Sequence, residues 1–131
     1  MGAPINVYGP VYVTAVTDGG ATETVIATLP GVTCDTPQKQ VIIEGFINIT
    51  PGTSAVAVII KVRRGTTTSG TEVGTAENSI AVATDKITIP FAVVDVPGPS
   101  HGASYVVTVT ETSAAADGTV NEASILAIVT Q

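Results

Sequence analysis

Residues 41–62 read VIIEGFINITPGTSAVAVIIKV, and apolar residues recur at alternate positions on both sides of Pro51-Gly52. A Pro-Gly pair favours a turn, and alternation with a period of two favours strands that bury one face. We therefore predict two β-strands separated by this turn. The residues predicted to face a core are Val41, Ile43, Ile47 and Ile49 before the turn, and Val56, Val58, Ile60 and Val62 after it.

The composition extends this prediction to the whole chain. The 131 residues include 21 Thr, 20 Val and 13 Ile, but only 2 Leu and no Trp. β-branched side chains suit strands better than helices. Because 44% of the residues are hydrophobic and only 12% are charged, the composition is that of a folded protein. The length suits a single domain.

The arrangement of the alternating segments predicts the fold class. Seven to nine regularly spaced strands without a helix indicate an all-β, single-domain antiparallel β-sandwich of jelly-roll (Greek key) topology, spanning residues 1–131. Pro90 predicts that its strand lies at a sheet edge or contains a bulge. Residues 65–75 and 95–102 are predicted to be loops, and residues 1–8 an extended N-terminal arm. Residues 5–13 are predicted to form either two short strands or one bulged strand around Gly9-Pro10. The remaining predicted strands are residues 24–29, 79–83, 87–93, 105–109 and 119–130.

Few side chains in this sequence are suited to catalysis or metal binding. His101 is the only histidine, and its neighbour Ser100 would point away from it on an extended chain. One Cys and one His do not supply a usual zinc site. We therefore predict no enzymatic activity, no catalytic residues, no cofactor and no metal site within one chain. An ion that bridges subunits on a symmetry axis stays an open alternative.

Charge and hydropathy limit the kinds of partner that this chain is expected to bind. The net charge is −6 and the chain has only five Lys and Arg residues, which disfavours nucleic-acid binding because such binding depends on neutralising phosphates. No apolar run approaches the roughly 20 residues of a membrane helix, and the start of the sequence lacks the pattern of a secretory signal. Cys34 is the single cysteine, so an internal disulfide is impossible, and we expect an inert thiol. We expect that the chain does not associate with a membrane and that it is assembled in a cytoplasm.

The last predicted strand carries a further indication. Residues 123–130, ASILAIVT, are apolar in both registers, whereas an outer strand of a monomeric sandwich alternates with polar residues. Ala57 and Ile59 give an earlier strand the same character. Such strands are covered on both faces, either by a second subunit or by loops of the same chain. The pattern favours a homo-oligomer.

Candidate interface residues follow from this expectation. The last strand contributes Ile125, Leu126 and Ile128, and the N-terminal segment contributes Ile5, Val7 and Tyr8. Arg63 and Arg64 belong to the only basic cluster. They are candidate hydrogen-bond donors to a neighbouring subunit, because Arg suits interface carboxylates. The alternative for these two arginines is a solvated strand end.

Several segments resemble known proteins. They are residues 61–67 (KVRRGTT), the turn at residues 95–98 (DVPG), residues 105–109 (YVVTV) and residues 119–128 (TVNEASILAI). Together they resemble the small jelly-roll proteins of bacteriophage heads, the decoration or head-fibre proteins, which are related in shape to the trimeric TNF/C1q-like jelly roll. The resemblance implies a trimer in which the C-terminal strand lies near a three-fold axis. It implies no catalytic residue.

The functional expectation combines these points. We expect a structural virion protein, a homotrimeric decoration or minor capsid protein that binds the major capsid protein or other shell subunits and stabilises a viral shell. The alternative is a carbohydrate- or receptor-binding head module, although the chain has only three Tyr and two Phe to stack on sugar rings. The expected location is the virion, after assembly in the host cytoplasm.

Overall fold

The computed structural model describes residues 5–34 and 39–130, apart from the side chains of Ser100 and His101. In these residues, eight strands form two four-stranded antiparallel sheets. The strands are β1 (Asn6–Thr17), β2 (Thr24–Cys34), β3 (Gln40–Thr50), β4 (Ala57–Arg64), β5 (Thr71–Ser79), β6 (Ile87–Asp95), β7 (Ser100–Thr112) and β8 (Thr119–Thr130).

The connectivity is that of a jelly roll. One sheet has the order β1-β8-β3-β6 and the other has the order β2-β7-β4-β5. The chain therefore changes sheet at every connection except that between β4 and β5. This arrangement pairs the first strand with the last and distributes consecutive strands over two packed sheets. The predicted all-β jelly-roll sandwich is confirmed.

The core lies between the two sheets and contains most of the residues that the alternation assigned to it. Val41, Ile43, Ile47 and Ile49 of β3 are fully buried, and so are the three predicted residues of β4, from Val58 onward. The prediction for Val56 was wrong, because this residue precedes β4 and its side chain is 53% exposed.

Several strands differ in extent from the sequence-based prediction, and β7 begins at Ser100, within the predicted loop of residues 95–102. Residues 71–79 form β5, although residues 65–75 were predicted as loop and a strand was predicted at residues 79–83. β5 is an edge strand whose side chains are mostly polar and exposed, so it lacks the apolar alternation. β2 continues to Cys34 instead of ending at residue 29. Gly31, with φ of 77°, takes up the irregularity in its pairing between Leu29 and Val32.

The N-terminal strand is continuous through Gly9-Pro10. β1 pairs with β8 along its length, with a register shift between Tyr8 and Val11. Residues 6–8 of the predicted arm are thus part of the sheet, and residues 1–4 lie outside the described residues. At the opposite edge of the same sheet is β6, which places Pro90 on an edge strand as predicted.

Candidate interaction surface

One outer face of the sandwich carries an apolar row that crosses all four strands of its sheet. Val7 of β1 pairs with Ile128 of β8. Ile128 pairs in turn with Ile42 of β3, which pairs with Val94 of β6. Val7 and Val94 are 59% and 53% exposed, and the two isoleucines between them are half-buried. This row and its outward-facing neighbours form what we term the apolar face: Val7, Ile42, Phe46, Pro90, Ala92, Val94, Leu126 and Ile128.

A single acidic side chain lies within the apolar face. Glu44 of β3 has Leu126 on one side and Ala92 on the other. Within the described residues, no hydrogen bond or ion pair involves its carboxylate. The surface is slightly concave here, and the depression is lined by Glu44, Gly45, Phe46, Pro90, Phe91, Ser124 and Leu126.

The other half of the same outer face is polar and hydrogen-bonded. The Asn48 amide donates to the Thr88 hydroxyl at 2.8 Å and accepts from the Asn121 amide at 2.9 Å. The hydroxyl of Tyr12 donates to the carboxylate of Glu122, and this bond raises the pKa of Tyr12 above its ordinary value. The apolar face thus has a polar border along the strands.

The outer face of the second sheet differs in character, because ion pairs cover it. Arg63 of β4 donates to both carboxylate oxygens of Glu23, at 2.6 and 2.9 Å, and Thr108 of β7 donates to the same carboxylate at 2.7 Å. The hydrogen bond from Arg63 lowers the pKa of Glu23 below its ordinary value. Beside them, Lys61 lies 3.5 Å from Glu72. Both basic side chains of this face, Lys61 and Arg63, thus have acidic partners within the chain.

A second arginine joins the two sheets. Arg64 of β4 donates from Nε and Nη2 to the two carboxylate oxygens of Asp95, at 2.8 and 2.7 Å. The buried Tyr105 hydroxyl also donates to Asp95, at 2.7 Å. Burial alone would raise the pKa of Asp95, but the hydrogen bonds from Arg64 and Tyr105 outweigh it and hold this pKa below its usual value. Burial and the bond to Asp95 raise the pKa of Tyr105.

The predicted interface residues occupy different environments. Val7, Leu126 and Ile128 belong to the apolar face, and Ile5, just before β1, is 64% exposed. Tyr8 packs against the core, and Ile125 is fully buried within it. Ile125 therefore exposes no surface to a second subunit.

The two arginines have partners within the chain, Glu23 for Arg63 and Asp95 for Arg64. The β4 residue Ile59 is half-buried, and the next outward positions of that strand are Lys61 and Arg63. The two-sided apolar character that the sequence suggested for β4 therefore does not continue along its outer face.

Sequence reasoning missed half of the apolar row. Ile42 and Val94 complete it, and neither was a candidate interface residue. The signal for Ile42 was present, because Ile42, Glu44 and Phe46 form the second register of an apolar strand. Val94 carried no such signal, since only the pairing of β6 with β3 places it beside Ile42.

The described residues hold no group of three or more His, Cys, Asp or Glu side chains that could bind a metal ion. The Cys34 thiol is buried, and its sulfur lies 3.7 Å from the carbonyl oxygen of Lys39. No helix in this part of the chain is long and apolar enough to cross a membrane.

Comparisons with known proteins place the fold but not a family. Neither protein families nor curated proteins match the sequence. Among solved structures, a T13 viral particle of infectious bursal disease virus is similar with a TM-score of 0.61 and 11% identity over 99% of this chain and 32% of that one. The Gx strain of the same virus gives a TM-score of 0.57 and 14% identity over 99% of this chain and 33% of that one.

A Bacillus endospore appendage, a disulfide-linked pilus, is similar with a TM-score of 0.49 and 17% identity over 100% of this chain and 93% of that chain. This chain spans about a third of the length of the bursal disease virus chains. At these identities the likeness establishes a jelly-roll sandwich of the kind found in viral capsid domains.

Proposed function

We propose that this chain is a structural protein of a virion, a homotrimeric decoration or minor capsid protein whose copies meet through the apolar face. The observation that supports this most is the contrast between the two outer faces of the sandwich. One is covered by ion pairs made within the chain, whereas the other presents an apolar row from edge to edge. The contiguous apolar patches that folded proteins expose are often functional, and this one is the part of the surface best suited to contact with another chain.

The size of the apolar face defines what the interface includes. Four strands span about 15 Å, and the rows from Ile42 to Phe46 span a similar length, so the face covers on the order of 200 Å². A stable interface buries roughly 800 Å² on each partner. The contact therefore extends onto the polar half of the sheet, which forms a hydrogen-bonding rim around the apolar centre.

A second copy of the chain fits this surface chemically. The amides of Asn48 and Asn121 contain both donors and acceptors, so they can form hydrogen bonds with polar groups of neighbouring copies. Glu44 is the only charged residue in the apolar centre, so the net charge of −6 causes little repulsion there. The trimeric state follows from the resemblance to phage head proteins, and the jelly-roll fold shared with capsid domains of a virus supports a place in a shell.

Particles from the source test this function. Cryo-electron microscopy is compared between particles made with the chain and particles made after deletion of its gene. We expect three-fold density on the shell that is lost on deletion, together with shells that open at a lower temperature. Identical maps and identical opening temperatures would contradict the proposal.

A carbohydrate-binding role has one observation in its favour. Tyr12 and Phe46 both pair with Ser124, so two aromatic side chains border the same stretch of the sheet, and Tyr12 is 56% exposed. Aromatic rings at such positions stack on sugar rings. Glycan-array binding that is lost in Tyr12→Ala would favour this role, and the absence of any binding would remove it.

A further inference from the structure

Two carboxyl groups are buried together at the end of the sandwich where β1 ends and β8 begins. Asp18 follows β1 and is 2% exposed, and Glu111 near the end of β7 is fully buried. Both carboxyl groups lie against Gly118, because its amide donates to Asp18 Oδ1 and a Cβ at this position would collide with Glu111 Oε2.

Backbone amides satisfy one oxygen of each carboxyl group. Asp18 Oδ1 accepts from the amides of Gly20 and Gly118, at 2.8 and 2.9 Å. Glu111 Oε1 accepts from the amide of Gly52, at 2.6 Å. The other two oxygens, Asp18 Oδ2 and Glu111 Oε2, are buried and have no hydrogen-bond donor among the described residues.

The described side chains around Asp18 and Glu111 supply no positive charge to balance the two carboxyl groups. Among the described residues, no lysine or arginine forms an ion pair with Asp18 or Glu111, and the third carboxyl at this end, Asp117 on the β7–β8 connection, is exposed. Two adjacent carboxylates without a counter-ion repel each other strongly in a buried site, whereas one shared proton removes a charge and supplies the missing hydrogen bond. The need for this proton follows from burial and hydrogen bonding.

We infer that Asp18 and Glu111 share one proton and form a pH-dependent clamp. The clamp holds three connections together, because its oxygens accept hydrogen bonds from the β1–β2, β3–β4 and β7–β8 segments. When the proton leaves to solvent, both groups are ionised and repel each other. This weakens the contacts among the three connections.

The pH range follows from the direction of the shift. Burial, followed by the hydrogen bond to Asp18, raises the pKa of Glu111 from 4.5 to about 7. The folded state therefore retains a proton that the unfolded state has already released. Stability from the clamp is complete below pH 4.5 and is lost as the pH rises to about 7.

The clamp is independent of the proposed function. β1 has 12 residues, so the clamp lies roughly 35 Å along the sheet from the apolar row at Val7. The oligomeric state and the clamp are thus tested by separate measurements, and failure of one leaves the other intact.

Urea unfolding from pH 4.5 to 8.5 tests the clamp in the wild type, in Glu111→Gln and in the control Glu77→Gln, an exposed residue of β5. Glutamine keeps a hydrogen-bond donor beside Asp18 but cannot release a proton. We expect the urea midpoint of the wild type and of Glu77→Gln to fall between pH 4.5 and about 7, and that of Glu111→Gln to change less. Equal pH dependence in all three proteins would overturn the inference.

Two further measurements apply to the wild type itself and do not depend on whether the variant folds. Carbon-13 NMR of the Glu111 carboxyl is expected to show a titration midpoint near 7, and a midpoint near 4.5 would contradict the shared proton. At pH 8.5, millimolar calcium chloride is expected to leave the urea midpoint unchanged. A restored midpoint would assign the pair to a divalent cation instead and would overturn the inference.

Discussion

Arg64 holds both carboxylate oxygens of Asp95 and so joins β4 of one sheet to β6 of the other. Asp95 is 7% exposed, and Tyr105 supplies its third hydrogen bond. The pair lies at the end of the sandwich that carries the apolar row, since Val94 is the neighbour of Asp95 in sequence. It connects the sheet of the apolar face to the ion-paired sheet behind it.

Removal of Arg64 is expected to leave Asp95 buried without its cation. Arg64→Ala should lower the free energy of unfolding by about 1–3 kcal/mol, which is less than for a fully buried pair because the Arg64 side chain is 34% exposed. Urea unfolding at neutral pH measures the change. Lys61→Ala is the matched control, and the loss of its exposed pair with Glu72 should lower the free energy of unfolding less than the loss of Arg64 does. Equal losses in the two variants would contradict the structural role of Arg64.

Tyr105→Phe removes a single hydrogen bond and leaves the ring in place. The hydroxyl of this fully buried residue donates to Asp95, so its loss should lower the free energy of unfolding by about 1–2 kcal/mol. Thermal unfolding followed by circular dichroism checks this value. In the double variant Arg64→Ala/Tyr105→Phe, the loss of stability should be smaller than the sum of the two single losses, because both residues bind the same carboxylate. An unchanged Tm for Tyr105→Phe would show that the hydroxyl contributes nothing.

Protonation of Asp95 at acid pH should lower the free energy of unfolding. Because its pKa is held below the ordinary value of 3.8, its stabilising effect is present above that pH and is lost as the pH falls further. We expect the urea concentration at the unfolding midpoint of the wild type to decrease once the pH is below about 4. For Asp95→Asn this concentration should be lower at neutral pH and should depend less on pH. Parallel curves for the two proteins would count against this assignment. This acid range lies below the range assigned to Glu111.

Gly45 is expected to tolerate no side chain. A Cβ at this position would lie 1.8 Å from the carbonyl oxygen of Ser124, and a backbone atom of a central strand cannot move away. Gly45→Ala should lower the free energy of unfolding by about 3 kcal/mol or more, measured by urea unfolding. Gly98→Ala is the control, because its surroundings are open and its φ of 76° accounts for only about 1–2 kcal/mol. A smaller loss for Gly45→Ala than for Gly98→Ala would contradict the packing described for β3.

The sequence predicted the elements whose signal is local. The alternation in residues 41–49 identified β3 and its buried face, because one half of each strand faces the core and the other does not. β5 was missed because an edge strand with exposed polar side chains has no such alternation. The outward apolar residues of β8 were recognised for the same local reason, as two consecutive registers of one strand.

Features that depend on strand pairing were not predictable from one sequence. Val94 joins the apolar row only through the register of β6 with β3, and Arg64 meets Asp95 only because the two sheets pack face to face. The Asp18–Glu111 pair brings together the end of one strand and the end of another far along the chain. No spacing rule connects such residues, since their proximity follows from the jelly-roll topology.

The oligomeric state is the most direct test of the proposed assembly. Sedimentation at micromolar concentration is compared among the wild type, Val94→Lys, Ile128→Lys and the control Val82→Lys, whose position is 58% exposed and lies outside the eight strands. We expect trimers for the wild type and Val82→Lys, and monomers for the two variants of the apolar face, because a lysine within the contact is desolvated without a partner. A monomeric wild type, or trimers that persist in both face variants, would contradict the proposed assembly.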